Sequence, residues 1–247
     1  MFYLTLPSNS SFQFYPDNTL TRYFTQLPQP MELQGAWEVG LVEIQYPHTW
    51  CNIQEDQIWY KLRTETDGPV HKVHLSSGFY QSASKLTKYL NEAKEMLPEQ
   101  HKILFLHDEV TKRATVDVDY GADIELSLTL QSILGMTERK FTAGRHRGSR
   151  VIDIDRGFYG LYVYCNLVEA RPVGDVLAPL LRIVPIKGKD GDMVTKTYEN
   201  IHYIPLQHKH FHTVEIDIRT DTGKPIPFER GKVVVTLHFK KQRKLLL

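Results

Sequence analysis

Three histidines alternate in the run HKHFHTVE: His208, His210 and His212. Alternate residues of a strand share one face, so these imidazoles would stand in a row. With Glu215 they give the spacing H-x-H-x4-E. Imidazoles plus one carboxylate can hold iron, manganese or zinc and leave coordination positions open for a substrate. Two basic stretches offer a different chemistry. Arg139, Lys140, Arg145, Arg147 and Arg150 fall in RKFTAGRHRGSR (139–150), and Lys240, Lys241, Arg243 and Lys244 fall in KKQRKLLL (240–247). The first stretch reads as a Gly-rich loop, either meeting phosphate or an acidic partner or simply solvated. The second reads either as an arm that docks on a neighbouring subunit or as a disordered tail.

The histidine spacing resembles the first metal motif of the cupins, whose fold is a jelly roll. The remainder of that motif is missing. His202 stands where an upstream glycine would be, and PFERGKVVVTLH (227–238) lacks the spacing of P-x-G-x2-H. On an unbroken strand Glu215 would also face away from the three histidines. The plainer reading is a polar strand entry with exposed histidines. IDID (152–155) and KDGD (189–192) lack the ligand count of an EF-hand, and Asp190 and Asp192 around Gly191 read as a hairpin turn. The chain has no G-x-S-x-G, no P-loop and no H-E-x-x-H. Neither a catalytic residue nor a cofactor is expected, and the chain does not read as an enzyme. A lectin-like module using Trp37, Trp50 or Trp59 is a further alternative, although each tryptophan lies in an apolar, strand-like setting that favours core packing.

Those residues must be positioned by strands. From 158 to 239 the chain runs GFYGLYVYCNLVE, LAPLLRIVPI, MVTKTYE, HTVEIDIR and GKVVVTLHF, separated by KGKDGD and RTDTGKPIPFERG. Short strands punctuated by Gly, Pro and Asp indicate a β-sandwich or barrel. In HTVEIDIR, Val214, Ile216 and Ile218 should point inward; in KVVVTLHF, Val233, Val235, Leu237 and Phe239 should. GLYVYCNLV is apolar on both faces, as for a central strand covered on both sides. Near the start, FYLTL (2–6) reads as a strand and 18–33 as Pro-broken extended or looped chain. WEVGLVEIQY (37–46) changes parity beside Gly40, which indicates a β-bulge or bend.

The middle has another texture. QIWYKLR (57–63) and VHKVHL (70–75) flank a hairpin connection. Ala83, Leu86, Leu90, Ala93 and Leu97 form an apolar stripe that predicts a helix over 82–97, capped by Ser82 and stopped by Pro98. Strands follow at 102–107 and 114–120, the latter with Val116, Val118 and Tyr120 inward, then a short helix over 126–134 ending at Gly135. The order ββαββα within an otherwise all-β chain predicts an inserted α+β subdomain at 55–140, splitting a sandwich made of 1–54 and 141–247.

Composition narrows the function classes. The chain has 247 residues with 30 Lys and Arg against 29 Asp and Glu, a formal net charge of +1. A protein that coats nucleic acid through phosphates carries a clear basic excess, so contact with genomic DNA would be weak. The two cysteines, Cys51 and Cys165, make neither a disulfide framework nor a metal pattern, which suits a reducing compartment. No apolar run approaches the ~20 residues of a membrane helix, and MFYLTLPSNSS reads as a first strand without the basic start of a signal peptide.

The blocks FYLTLPSNSS, NTLTRYFTQLPQPMELQGAWEVGLVEIQYPHTW, GLYVYCNLVE, VGDVLAPLLRIVPI, IHYIPL and VEIDIRTDTGKPIPFERGKVVVTLHF resemble the minor capsid, or penton, proteins of Maverick/Polinton elements and adintovirus-like viruses. The likeness spans most of the chain and is strongest at 1–50 and 158–239. It implies a single jelly roll with an inserted subdomain. It also implies a virion protein that forms homopentamers at icosahedral vertices beside trimers of a double-jelly-roll major capsid protein. It brings no catalytic residues.

Overall fold

Val233, Val235, Leu237 and Phe239 fall at alternate positions and are all fully buried. That alternation buries one face of the final strand, which is flanked by a strand on each side in its sheet. The computed structural model describes residues 1–53, 57–97, 99–155 and 158–242. In chain order the elements begin with β1 (Phe2–Pro7), β2 (Arg22–Glu32) and β3 (Trp37–Pro47). Next come β4 (Trp59–Arg63), β5 (His71–His74), helix α1 (Ala83–Glu92), β6 (Ile103–Asp108), β7 (Arg113–Val118), β8 (Asp123–Leu126), helix α2 (Leu128–Ile133), β9 (Lys140–Phe141) and β10 (Gly144–Arg147). The series closes with β11 (Gly160–Cys165), β12 (Arg171–Val173), β13 (Val176–Ala178), β14 (Leu180–Pro185), β15 (Met193–Thr197), β16 (Ile204–Pro205), β17 (His210–Arg219) and β18 (Val234–Lys241).

The chain divides into two compact units, Met1–Trp50 with Phe158–Leu247, and Cys51–Gly157. In the first, one sheet has the order β1-β18-β3-β15 with β16 also on β3, and a second has β14-β11-β17-β2. The antiparallel pairs are nested: β1 with β18, β2 with β17, β3 with β15, and β11 with β14. A long hairpin of four pairs rolled into two facing sheets is a jelly roll. Its core includes Tyr23, Leu41, Ile44, Tyr46, Val163, Val214, Ile216 and Ile218. The fold is therefore mainly β, a single jelly roll with an insertion between β3 and β11.

The parity break at Gly40 is a bulge. Thr236 pairs with Glu43 and Leu237 with Leu41, leaving Val42 as the extra residue of β3. Gly40 itself lies under a crossing segment. A Cβ there would meet Ile201 Cγ2 at 2.4 Å and the His202 carbonyl oxygen at 2.6 Å. The stretch read as Pro-broken chain contains an 11-residue strand, β2. Its pairing with β17 skips from Met31 to Gln26, so the segment 27–30, with Pro28 and Pro30, lies outside the ladder. KDGD turns tightly, with the Lys189 N–H donating to Asp192 Oδ2 at 2.7 Å. It is not a hairpin, because β14 and β15 belong to different sheets. The outer-face Tyr162 and Tyr164 of β11 are only half-buried, so that strand is fully covered on its core side alone.

The second unit has its own core, built on Tyr60, Leu86, Leu90, Phe105, Val116, Leu126 and Ile133. One sheet runs β5-β4-β8-β9 and another β10-β7-β6. The second boundary falls at 157/158 and not at 140/141, because β9 pairs with β8 and β10 with β7. The order is ββαβββαββ, with β8, β9 and β10 added to the expected elements. Helix α1 is capped by Ser82 Oγ, which accepts from the Lys85 N–H at 3.2 Å, but stops at Glu92. Near that end Asn91 donates to the Phe105 carbonyl at 2.8 Å and accepts from the Phe105 N–H at 3.0 Å. This side chain closes the outer edge of β6, which would otherwise offer unpaired backbone to another chain. Tyr120 is 93 % exposed, since β7 ends at Val118 and the chain turns through Gly121 at φ +82°.

Gly40→Val should destabilise the fold by about 1–3 kcal/mol, the usual cost of overpacking, because one of the two clashing atoms is backbone. Urea unfolding checks this; a change below ~0.5 kcal/mol, the range of a neutral surface substitution, would show that the segment over Gly40 shifts freely.

Candidate functional site

The histidine run enters β17, where the bulge decides which side each residue faces. Phe211 is buried and so is Val214, so the inward parity switches between them, at the register shift from Phe211 to Thr213. His210 and Glu215 therefore share the outer face, contrary to the simple parity argument. Even so, the carboxylate is engaged elsewhere: Arg22 Nε lies 2.7 Å from Glu215 Oε1. His208 and His210 are exposed. His212 lies beside Gln26, whose Nε2 is 2.7 Å from its Nδ1. Gln26 Oε1 in turn accepts from the Tyr15 hydroxyl at 3.0 Å and from Thr213 Oγ1 at 3.2 Å. The imidazole at 212 thus belongs to a polar network that ties the 8–18 loop to β2 and β17. Among the described residues no group of three or more His, Cys, Asp or Glu could hold a metal ion.

The basic stretch 139–150 is not a loop. It contains β9 and β10, and carboxylates of β6, β7 and β8 face its cations. Arg139 Nη2 is 3.1 Å from Glu125 Oε1 and Lys140 Nζ is 3.9 Å from Glu125 Oε2. Arg145 Nε is 3.7 Å from Asp117 Oδ2, and Arg147 Nη2 is 2.9 Å from Asp108 Oδ2. The Thr111 backbone N–H and side chain, the Val110 N–H and the Arg147 charge together hold the Asp108 carboxyl below its usual range. Arg150 is exposed. The sequence spacing brought five cations together, but the fold spreads them over two sheets. At the other basic stretch, Lys240 Nζ is 3.1 Å from Glu38 Oε1 and lies 3.5 Å from the Tyr203 ring centroid. Lys241 stands over Trp37 at 5.8 Å. Arg243 and Lys244 lie outside the described residues.

Sequence reading missed one pair with chemical potential. Ser84 Oγ is 2.8 Å from His107 Nδ1, in an open cleft of ≈ 550 Å³ also lined by Ser82, Glu109 and Lys112. A Ser–His pair becomes a nucleophile and base when a third group orients the imidazole through its other nitrogen. Among the described residues His107 Nε2, which is buried, has no hydrogen-bond partner, so none of them supplies the orienting contact. Their separation of 23 residues, one on a helix and one on a strand, gave no motif to read. Trp50 is buried against Phe158 and Phe228, whereas Trp37 and Trp59 are half-buried. Two lysines, Lys61 and Lys72, cover Trp59 at 5.4 and 4.9 Å from its ring, which leaves it a poor sugar platform. Burial pushes the Cys165 thiol up to about 12, as befits an inert core residue.

No protein-family model matches the chain, and no curated protein matches it. A solved structure does. The crystal structure of the mavirus penton protein aligns with a TM-score of 0.51 at 10 % sequence identity, covering 97 % of this chain and 99 % of that one. The two proteins share a fold. The alignment takes in the jelly roll and the inserted unit alike, because neither alone could account for that coverage. No helix among the described residues is long and apolar enough to cross a membrane.

Elemental analysis of purified protein should find iron, manganese and zinc well below one equivalent per chain. One bound equivalent that disappears in His210→Ala would restore the metal-enzyme reading.

Proposed function

We propose that this chain is a structural virion protein, the penton subunit at the vertices of an icosahedral capsid. It would assemble as a homopentamer beside trimers of a double-jelly-roll major capsid protein, in a Maverick/Polinton- or adintovirus-like particle. The observation that carries this reading is the end-to-end fold match with the mavirus penton protein. The surface chemistry supports it. Most of the charges weighed as sites are already paired on neighbouring strands, which suits a rigid building block better than a catalyst. The near-zero net charge keeps any contact with genomic DNA weak.

Closing a ring by rotation needs two different patches on each subunit, one meeting the other on the next copy. The outer face of the β14-β11-β17-β2 sheet is one candidate. It presents Tyr162, Tyr164, Ile183 and the Asp217–Arg219 pair, a mixture of aromatic residues and arginine typical of interface cores. The cations Lys240 and Lys241, with Arg139, Lys140, Arg145, Arg147 and Arg150, are secondary candidates for partner contacts. Function here is geometric, and no residue is assigned a catalytic role.

Native mass spectrometry of the purified full chain, alone and mixed with its major capsid protein, tests the reading. Pentamers are expected in at least one of the two samples. Monomers in both would overturn it.

A further inference from the structure

The segment 198–206 runs between β15 and β17 and straps the outer face of the first sheet. The Tyr198 N–H donates to the Val42 carbonyl at 2.8 Å, and the Leu206 N–H to the Trp37 carbonyl at 3.0 Å. In between, Ile201 and His202 pass over Gly40, and β16 pairs with Val39 and Glu38. Across from Gly40 on β18 stands His238. It points away from the core, since its neighbours Leu237 and Phe239 point inward, yet it is only 6 % exposed. Tyr203 of the strap covers it, with the phenol oxygen 2.6 Å from His238 Nδ1. Tyr3 of β1 stacks on its other side at 4.5 Å.

We infer that the Tyr203–His238 contact is an acid-sensitive latch that holds the 198–206 strap on the sheet. The imidazole has one partnered nitrogen, while Nε2 is buried with no hydrogen-bond partner among the described residues. With the Tyr203 hydroxyl donating to Nδ1, a second proton must go to Nδ1, which ends that hydrogen bond and leaves a charged ring whose buried Nε2–H has no acceptor among those residues. The charged groups around it add to this. On its own strand stands Lys240, just ahead of β1 is the Met1 amino group, from β1 comes Tyr3, from β3 Glu38, and from the strap Tyr203. Glu38, the carboxylate among these, is taken by Lys240 at 3.1 Å. Glu199 and His202 of the strap are exposed. Burial, the amino terminus and Lys240 together hold the His238 imidazole below its usual value. A group held lower in the closed state than in the open one favours closure fully above its open-state value, and that preference is lost as pH falls. The window thus begins near the ordinary histidine value of about 6.5 and extends downward. Opening removes Tyr203 from His238 and uncovers Gly40.

Hydrogen–deuterium exchange of the 198–206 amides in the full chain, corrected for intrinsic rates, tests the latch between pH 7.5 and 5.0. Protection should fall below about pH 6.5, by up to ~10-fold per pH unit. His238→Gln, which keeps an acceptor for the Tyr203 hydroxyl without a titrating group, should flatten that dependence. Unchanged protection in the wild type at pH 5.0, or an equal loss in His238→Gln, would sink the idea. If the variant does not fold, the His238 ring resonance of the wild-type protein decides by NMR: a midpoint below ~6.5 supports the latch, and one at or above it refutes it. The readout belongs to a single chain, so it stands or falls separately from pentamer formation.

Discussion

The structure depends on β18 being zipped between β1 and β3. One side pairs Phe2 with Phe239 and Leu4 with Leu237, and the other pairs Val39 with Phe239 and Ile44 with Val235. These contacts join the two ends of a 247-residue chain. Closing so long a loop costs only slowly more than closing a short one, but the cost falls before the buried contacts reward it, which makes such folding slow. Until β18 arrives, β1 and β3 are not joined in one sheet. The four inward side chains Val233, Val235, Leu237 and Phe239 also supply the middle of the sandwich core. A sandwich lacking this strand would expose the apolar faces of both sheets.

An insertion of a hundred residues is tolerated because each unit has its own core. Among the described residues the sandwich core takes nothing from the inserted segment, and the second core takes nothing from the nested strands. The insertion enters between the third and fourth principal strands, where the chain already crosses from one sheet to the other. A longer connection there disturbs no ladder. In the inserted unit the open edge of β6 is closed by Asn91, a polar side chain standing in for a strand.

Charges on the surface follow the same rule of local satisfaction. Strand pairing places Glu125 beside Arg139 and Asp117 beside Arg145, so a stretch that looks like a basic patch in one dimension becomes two small ion-pair ladders in three. Exposed pairs of this kind contribute little, about 0–1 kcal/mol each. Their effect is to remove the long-range positive field that a run of uncompensated cations would create. The histidine run loses its metal-site geometry in a related way. One bulge re-aims His210 and Glu215 to the same face, but Arg22 from the paired strand takes the carboxylate.

The sequence by itself determined which residues alternate, and alternation is a local property. It settled β11, β14, β15, β17 and β18, the inward sets of β17 and β18, the bulge beside Gly40, the Ser82 cap, and the presence of an α+β insertion. Tertiary structure decided everything that needs a partner far along the chain. It set the nesting of strands into two sheets, the second boundary at 157/158, the exposure of Tyr120, the ion partners of the basic stretch and the burial of His238. The physical reason is that a side chain's period fixes its face, whereas its environment is fixed by which strand lies beside it. That neighbour can stand two hundred residues away, as Phe239 does from Phe2.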